Sequence, residues 1–341
     1  MINKVLIIGE AGVNHNCSLE NAKKLILAGA EAGVDYVKFQ TFKANKLVSK
    51  DAKKADYQKI NTKDENTSQF EMLKKLEMPE SWHHELIKYA ELLNVKFLST
   101  GFDEESIDFL DSINIDLFKI PSGEITNKPF LEHIAKKKKQ IIVSTGMANL
   151  EEVRAAIEVL QNNGIQKNYI TILHCNTEYP TPMQDVNLLA MKTIQNELGI
   201  QVGYSDHTLG IEVPIAAVAL GAVLIEKHFT LDRNMVGPDH LASLTPEELK
   251  QMVTSIRNIE LAISGNGVKE ATESEKKNID VIRKSLHYNS NLNIGDVFDI
   301  KHLRTLRPGN GISPMLYEDF IGKTLSTNVF KNEIIKKSDF L

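Results

Sequence analysis

The sequence predicts a (β/α)8 TIM barrel followed by a small, mostly β domain. Three observations carry that reading. Short β-branched runs alternate with longer amphipathic stretches. The alternation repeats about eight times within about 260 residues, the usual size of such a barrel. After Ile263 the texture changes to closely spaced turn signals with no long helix. An open doubly wound sheet is the competing fold. However, "GEAGVNHN" lacks the Gly-rich dinucleotide fingerprint, and one open sheet of eight parallel strands is less usual.

The expected strands, in order, are 5–8, 36–39, 95–98, 117–120, 141–143, 170–173, 201–204 and 223–226. Helices between them have readable ends. Asn149 with Glu152 and Thr245 with Glu248 form capping pairs, and Pro246 suits a first helical position. Gly33 and Gly164 read as helix stops. Residues 1–263 form the expected catalytic barrel. Residues 264–280, opening with "SGNGVKEATESEKKN", read as a polar linker with one helical turn. Residues 281–341 form the small domain, which is marginal alone and is expected to dock on something.

The chain has 341 residues, a net charge of −5, 42% hydrophobic and 25% charged residues, which is ordinary globular composition. Acidic residues outnumber basic ones, so no nucleic-acid footprint is expected. The basic run Lys136 to Lys139 falls between an expected helix and strand and reads as a solvated helix end. Cys17 and Cys175 give no disulfide framework and fit a reducing compartment. Glu10 interrupts the first apolar run too early for a signal peptide, and no stretch approaches the ~20 residues of a membrane helix. A cytoplasmic protein with no membrane partner is expected.

Barrel active sites lie at the carboxyl ends of the strands. Read in order, those ends carry Glu10, Lys38 with Gln40, Thr100, Lys119 with Ser122 and Glu124, Ser144, Asn176, Ser205 with His207, and His228. Any one of them reads more simply as the start of a solvated loop. A polar residue at all eight ends is hard to explain that way. Two lysines with several hydroxyls suit a phosphate. His207 and His228 follow neighbouring strands, and two neutral imidazoles there can share a metal ion. Glu10 and Asp239 would complete its shell or act as bases.

These segments resemble a known family. "EAGVNHN", "VKFQTFKA", "KIPSGEITN", "VSTGMAN", "HCNTEYPTP", "GYSDHTLG", "IEKHFTLD", "GPDHLAS" and "RPGNGISP" are similar to motifs of the sialic acid synthases, the bacterial N-acetylneuraminate synthase group with its legionaminate and pseudaminate relatives. The resemblance implies a TIM barrel with a C-terminal antifreeze-like domain, and a homodimer in which that domain caps the partner's barrel. It implies condensation of phosphoenolpyruvate with an open-chain N-acyl amino sugar, with release of phosphate. The implied cofactor is a divalent metal, usually Mn2+, with Mg2+ or Co2+ as alternatives, held by His207 and His228. Lys38, Thr100, Lys119, Ser122, Ser144 and Ser205 would surround phosphoenolpyruvate. Gln40, Asn176, Tyr179 and Asp239 would line the sugar site with Glu10 and Glu124. Arg307 would reach the N-acyl group. Glu10 is the expected base for the water that quenches C2, Glu124 exchanges a proton with the sugar oxygen, and His228 is catalytic through the metal.

Two positions depart from the family pattern. Gly101 stands where Pro is expected, which should loosen the exit of the third strand. Cys17 stands where Gly is usual and is strained if that position needs φ > 0. Three rival readings stay open: a Schiff-base lyase using Lys38 or Lys119, a non-catalytic sugar- or ice-binding protein, and a barrel enzyme acting on a sugar phosphate. "HCNTEYPTP" and "VKFQTFKA" lie nearer the neuraminate and legionaminate synthases than the pseudaminate ones; of the two sugars, N-acetylmannosamine is the expected substrate and the 2,4-diacetamido-trideoxy-mannose of the legionaminate enzymes the alternative.

Overall fold

A computed structural model describes residues 4–64 and 68–341. The chain divides into two compact units, Met1–Ser264 and Gly265–Leu341. The first contains eight parallel strands: β1 (Leu6–Gly12), β2 (Tyr36–Thr41), β3 (Lys96–Gly101), β4 (Leu117–Ile120), β5 (Gln140–Ser144), β6 (Ile170–Cys175), β7 (Gln201–Asp206) and β8 (Leu224–His228). Their hydrogen-bonded order is β3-β2-β1-β8-β7-β6-β5-β4, and β3 packs beside β4 to close the barrel.

The outer layer is helical. After β1 comes α1 (Leu19–Ala32). Between β2 and β3 lie α2 (Ala44–Leu47), α3 (Asp56–Thr62), α4 (Gln69–Leu76) and α5 (Glu80–Leu92). Then follow α6 (Glu104–Ser112), α7 (Lys128–Ala135), α8 (Leu150–Asn162), α9 (Leu189–Leu198), α10 (Glu212–Ala219) and α11 (Pro246–Ala262). The caps explain the boundaries. Asn149 Oδ1 accepts from Glu152 N at 3.0 Å, while the Glu152 carboxylate accepts from Asn149 N at 2.8 Å. Thr245 and Glu248 repeat this at α11, with Pro246 in the first turn. Gly33 ends α1 with φ 84, a left-handed conformation that costs glycine nothing. Helices bury one face against the sheet: α1 does so with Ala22, Leu25, Ile26 and Gly29. Each buried leucine or isoleucine there contributes about 1.5–3 kcal/mol by leaving water.

Several strands run further than their apolar cores suggest. Glu10 lies within β1, Lys38 and Gln40 within β2, Thr100 within β3, Ser144 within β5, Ser205 within β7 and His228 within β8. The ladder continues because these polar residues meet one another. Glu10 is in register with Lys38 on one side and His228 on the other, and Ser205 with Glu226.

Three local expectations meet different outcomes. Gly101 does not loosen the exit of β3. It is the last residue of the strand, and a Cβ there would lie 2.7 Å from Ile107 Cδ1, so its absence lets α6 pack close. Cys17 does have positive φ, at 51, next to Asn16 at 49, so a non-glycine residue holds a strained left-handed turn. The basic run is tied to the acidic helix α6: Lys137 contacts Asp108, and Lys139 pairs with Asp111 at 2.7 Å.

The second unit takes in residues 265–280; α12 (Glu273–Lys276) lies within this stretch, and α13 (Ile279–Ile282) begins in it and runs past its end. Its strands β9 (Ser285–Tyr288) and β10 (Leu303–Leu306) pair antiparallel. Leu286, Tyr288, Phe298, Phe320, Leu325, Val329 and Ile335 form its own small core. Among the described residues no helix is long and apolar enough to cross a membrane.

Candidate active site

A cleft of about 580 Å3 opens at the carboxyl ends of the barrel strands. Four charged residues meet in it. Lys38 Nζ lies 2.7 Å from Glu10 Oε2 and 3.4 Å from Glu226 Oε2, and donates to Thr100 Oγ1 at 2.9 Å. Lys119 Nζ stands 3.8 Å from Glu226 Oε1, which also accepts from Ser205 Oγ at 2.9 Å. None of the four is more than 5% exposed. Gly12, with φ 50, lets the chain turn where a Cβ would sit 3.2 Å from Glu10 Oε1.

Burial dominates the charge states. It pushes the Glu10 carboxyl up to about 7, against the pull of Lys38. It would raise Glu226 too, but Lys119 and Lys38 outweigh it and hold Glu226 below the ordinary carboxylate range. Burial also works against both lysines. Glu10 and Glu226 reverse that for Lys38, whereas Lys119 stays lowered. Two cations and two carboxylates thus share a buried cluster, with one carboxylate poised to titrate near neutrality.

Beside this cluster stand His207 and His228, with ring centroids 5.4 Å apart. His207 Nδ1 hydrogen-bonds the Asn176 carbonyl, which makes Nδ1 the donor and leaves the Nε2 lone pair free. Burial lowers His207 to about 4. Burial, then the neighbouring His207, lowers His228 well below its usual value. Both imidazoles are neutral near pH 7, the ligating state. His228 Nδ1 is buried with no hydrogen-bond partner, and Asp239 Oδ2 lies 4.0 Å away. A buried orphan nitrogen next to a second imidazole fits a divalent ion. Among the described residues no three His, Cys, Asp or Glu side chains gather to hold a metal by themselves. Two imidazoles would leave further positions to substrate oxygen and water. Asp239 lines the same cleft with its carboxyl pushed up by burial to about 7.

The other expected residues divide by position. Gln40, Ser122, Glu124, Ser144 and Tyr179 line the cleft. Gln40 Nε2 donates to Glu10 Oε1 at 3.4 Å. Ser122 Oγ accepts from Gly146 N at 3.0 Å, and Ser144 Oγ is buried with no partner. Glu124 accepts from Asn127 at 2.6 Å. Tyr179 packs 4.1 Å from the His207 ring and 5.6 Å from the His228 ring. Asn176 is not in the cleft wall; its carbonyl holds His207, and its side chain accepts from Glu178 N at 2.8 Å. Arg307 belongs to the second unit, where its Nε donates to the Ile282 carbonyl at 2.9 Å.

Reading strand ends misses two features. Glu226 lies two residues before His228 and shares its face, a period-2 signal that was legible. The wall formed by Tyr57, Gln58, Gln69, Met72, Leu73 and Leu76 comes from the long connection between β2 and β3 and has no such signal. On the outer side of the site, Lys227 and Asp206 form an ion pair with neither side chain exposed.

Residues 25–269 match the NeuB family, and residues 283–341 match the SAF domain. The chain belongs to the NeuB family. The N,N'-diacetyllegionaminic acid synthase of Campylobacter jejuni is 53% identical over 98% of this chain and 100% of its own length. The enzyme of the same name from Legionella pneumophila is 49% identical over 95% and 91% respectively. Among solved structures, the N-acetylneuraminic acid synthetase of Leptospira borgpetersenii in complex with citrate aligns with a TM-score of 0.72 at 32% identity, covering 81% of this chain and 90% of that one. This NeuB-family protein is an enzyme of the synthase type, with a TIM barrel and a C-terminal SAF domain.

Proposed function

We propose that the cleft condenses phosphoenolpyruvate with the open-chain form of 2,4-diacetamido-2,4,6-trideoxy-mannose, giving N,N'-diacetyllegionaminate and phosphate. The observation that carries the condensation is the juxtaposition of the Lys38–Glu10–Lys119–Glu226 cluster with the His207–His228 pair in one cleft. The choice of sugar is supported by the two relatives named above and by an uncharged wall that suits acetyl and C6 methyl groups. The sequence motifs group the neuraminate and legionaminate synthases together; Met72, Leu73 and Leu76 in this wall weigh against a C6 hydroxyl.

Lys38 and Lys119, with Thr100, Ser144 and Ser205, supply cations and hydroxyl donors to the phosphate and carboxylate of phosphoenolpyruvate. Its C3 attacks the aldehyde carbon, the new C–C bond forms, and the carbonyl electrons move to oxygen. A divalent ion on His207 and His228 would stabilise that oxygen as a Lewis acid. Water then adds to the electron-poor C2. Glu10 is suited to take its proton, because its raised value is matched to neutral pH. The tetrahedral adduct expels phosphate as its C2–O bond breaks, leaving the C2 ketone. Glu124 lines the cleft as a group to exchange a proton with the sugar oxygen. Arg307, in trans within a homodimer, would hold the 2-acyl carbonyl.

The test is phosphate release from phosphoenolpyruvate with Mn2+ and either sugar, with the product weighed by mass spectrometry. The expected result is release with the diacetamido sugar, faster than with N-acetylmannosamine. Release with neither would overturn the proposal.

A further inference from the structure

The segment between β2 and β3 contributes Leu47, Val48, Ala55, Tyr57, Gln58, Gln69 and the α4 residues Met72, Leu73 and Leu76 to the cleft, and none of these carries a charge. Its polar content is mainly a pair of primary amides. Gln58 Oε1 already accepts from Ala55 N at 3.0 Å and from Gln69 Nε2 at 3.4 Å. Gln58 Nε2 uses one hydrogen towards Tyr57 Oη, at 3.4 Å, and keeps the other. Among the described residues, Gln69 Oε1 accepts no hydrogen bond. Gln58 thus keeps one N–H and Gln69 its carbonyl for a further partner, and both residues line the cleft with Met72 and Leu73. A carboxylate or phosphate would find no cation here. A lone hydroxyl would leave the methionine and leucine uncovered. An acetamido group offers a carbonyl for Gln58, an N–H for Gln69 and a methyl for the apolar patch.

The aldehyde end of a sugar must reach the lysine cluster and the histidines to react. Besides this wall, the rest of the cleft lining includes Phe102, Glu124, Met147, Thr177, Pro238 and Asp239, and the wall alone joins paired amides to an apolar patch. We infer that Gln58, Gln69 and Met72 form a subsite for the second N-acyl group of the sugar, the acetamido group at C4. The inference rests on the proposed condensation. A hydrogen bond of this kind contributes about tenfold in specificity or less.

The experiment compares kcat/KM for 2,4-diacetamido-2,4,6-trideoxy-mannose with that for 2-acetamido-2,6-dideoxy-mannose, which differs only in a C4 hydroxyl. The wild-type enzyme should prefer the diacetamido sugar, and Gln69→Leu should reduce the preference about tenfold. As a measurement independent of that variant, wild-type protein labelled with 13C at its methionine methyls is mixed with the unreactive alditol of the diacetamido sugar. The Met72 methyl, assigned with Met72→Leu, should show a nuclear Overhauser contact to the 4-acetyl methyl. A preference unchanged within twofold in Gln69→Leu, or a saturated alditol without that contact, overturns the subsite. Equal use of the two sugars by the wild type does the same while leaving the condensation intact. No turnover of either sugar overturns the condensation and the subsite with it.

Discussion

Lys227→Met is the perturbation whose cost follows most directly from the structure. Strand alternation points Glu226 and His228 inward and Lys227 outward, and places Asp206 outward between Ser205 and His207. Neither side chain of the Lys227–Asp206 pair is exposed, and Lys227 also donates to the Thr208 carbonyl. The pair ties β7 to β8 directly behind the two histidines. Removing the lysine leaves a buried carboxylate without its cation, a change that costs about 3–5 kcal/mol. Thr208 N and Oγ1 still donate to Asp206, each at 3.0 Å, which favours the lower end, about 3 kcal/mol. For a domain of this size that is a fall in Tm of roughly 6–12 °C. Urea unfolding can be followed by the single tryptophan, Trp82, which packs against the barrel core. Asp206→Asn combined with Lys227→Met removes the stranded charge and should recover about 2 kcal/mol. A loss below about 1 kcal/mol in Lys227→Met, or no recovery in the double variant, would show that the buried pair does not carry this energy.

Other expectations concern the site itself. His207→Ala and His228→Ala should each abolish turnover and reduce bound Mn2+, measured by elemental analysis, while circular dichroism stays unchanged; full activity after chelation would contradict this. Asp239 has its carboxyl raised from 3.8 to about 7 by burial, so the folded state holds that proton more tightly than the unfolded state does. The resulting penalty is absent below pH 3.8, grows as pH rises, and is complete above pH 7. Asp239→Asn should therefore stabilise the metal-free protein by a few kcal/mol at pH 8 and by nothing at pH 3.5, read from denaturant midpoints. Glu10 must be ionised to accept a proton, so kcat/KM should rise with pH through about 7, and Glu10→Gln should lose that limb with most of the activity. Arg307→Ala and His228→Ala, each inactive, should regain turnover when unfolded and refolded together, because a mixed dimer with Arg307 acting in trans has one intact site. No recovery, with mixed dimers confirmed by mass, would exclude action in trans.

The barrel was legible because its period is strong: short runs such as "LII" (6–8) and "LFKI" (117–120) fall in strands, and the Asn149 and Thr245 caps sit where helices begin. Strands β1 and β7 run past their expected ends because Glu10 and Ser205 are paired inside the barrel rather than solvated. Propensity rules read such residues as loop. Most candidate residues converge on one cleft, since position at a strand end is a geometric statement about a barrel. Asn176 acts by its backbone, which side-chain chemistry does not reveal. Gln58 and Gln69 come from a long connection whose fold depends on docking, through contacts such as Asn61 Nδ2 to the Pro238 carbonyl at 2.6 Å, and no local pattern encodes that.

Isotope position tests most directly whether this cleft joins phosphoenolpyruvate to a sugar aldehyde with loss of phosphate at C2. Phosphoenolpyruvate labelled with 18O in its bridging oxygen is incubated with the enzyme, Mn2+ and 2,4-diacetamido-2,4,6-trideoxy-mannose. All the label should leave in inorganic phosphate. The nonulosonic acid should be unlabelled, with the mass of both substrates plus water less phosphoric acid. Label retained in the product, or phosphate released without a new C–C bond, would contradict the proposed condensation.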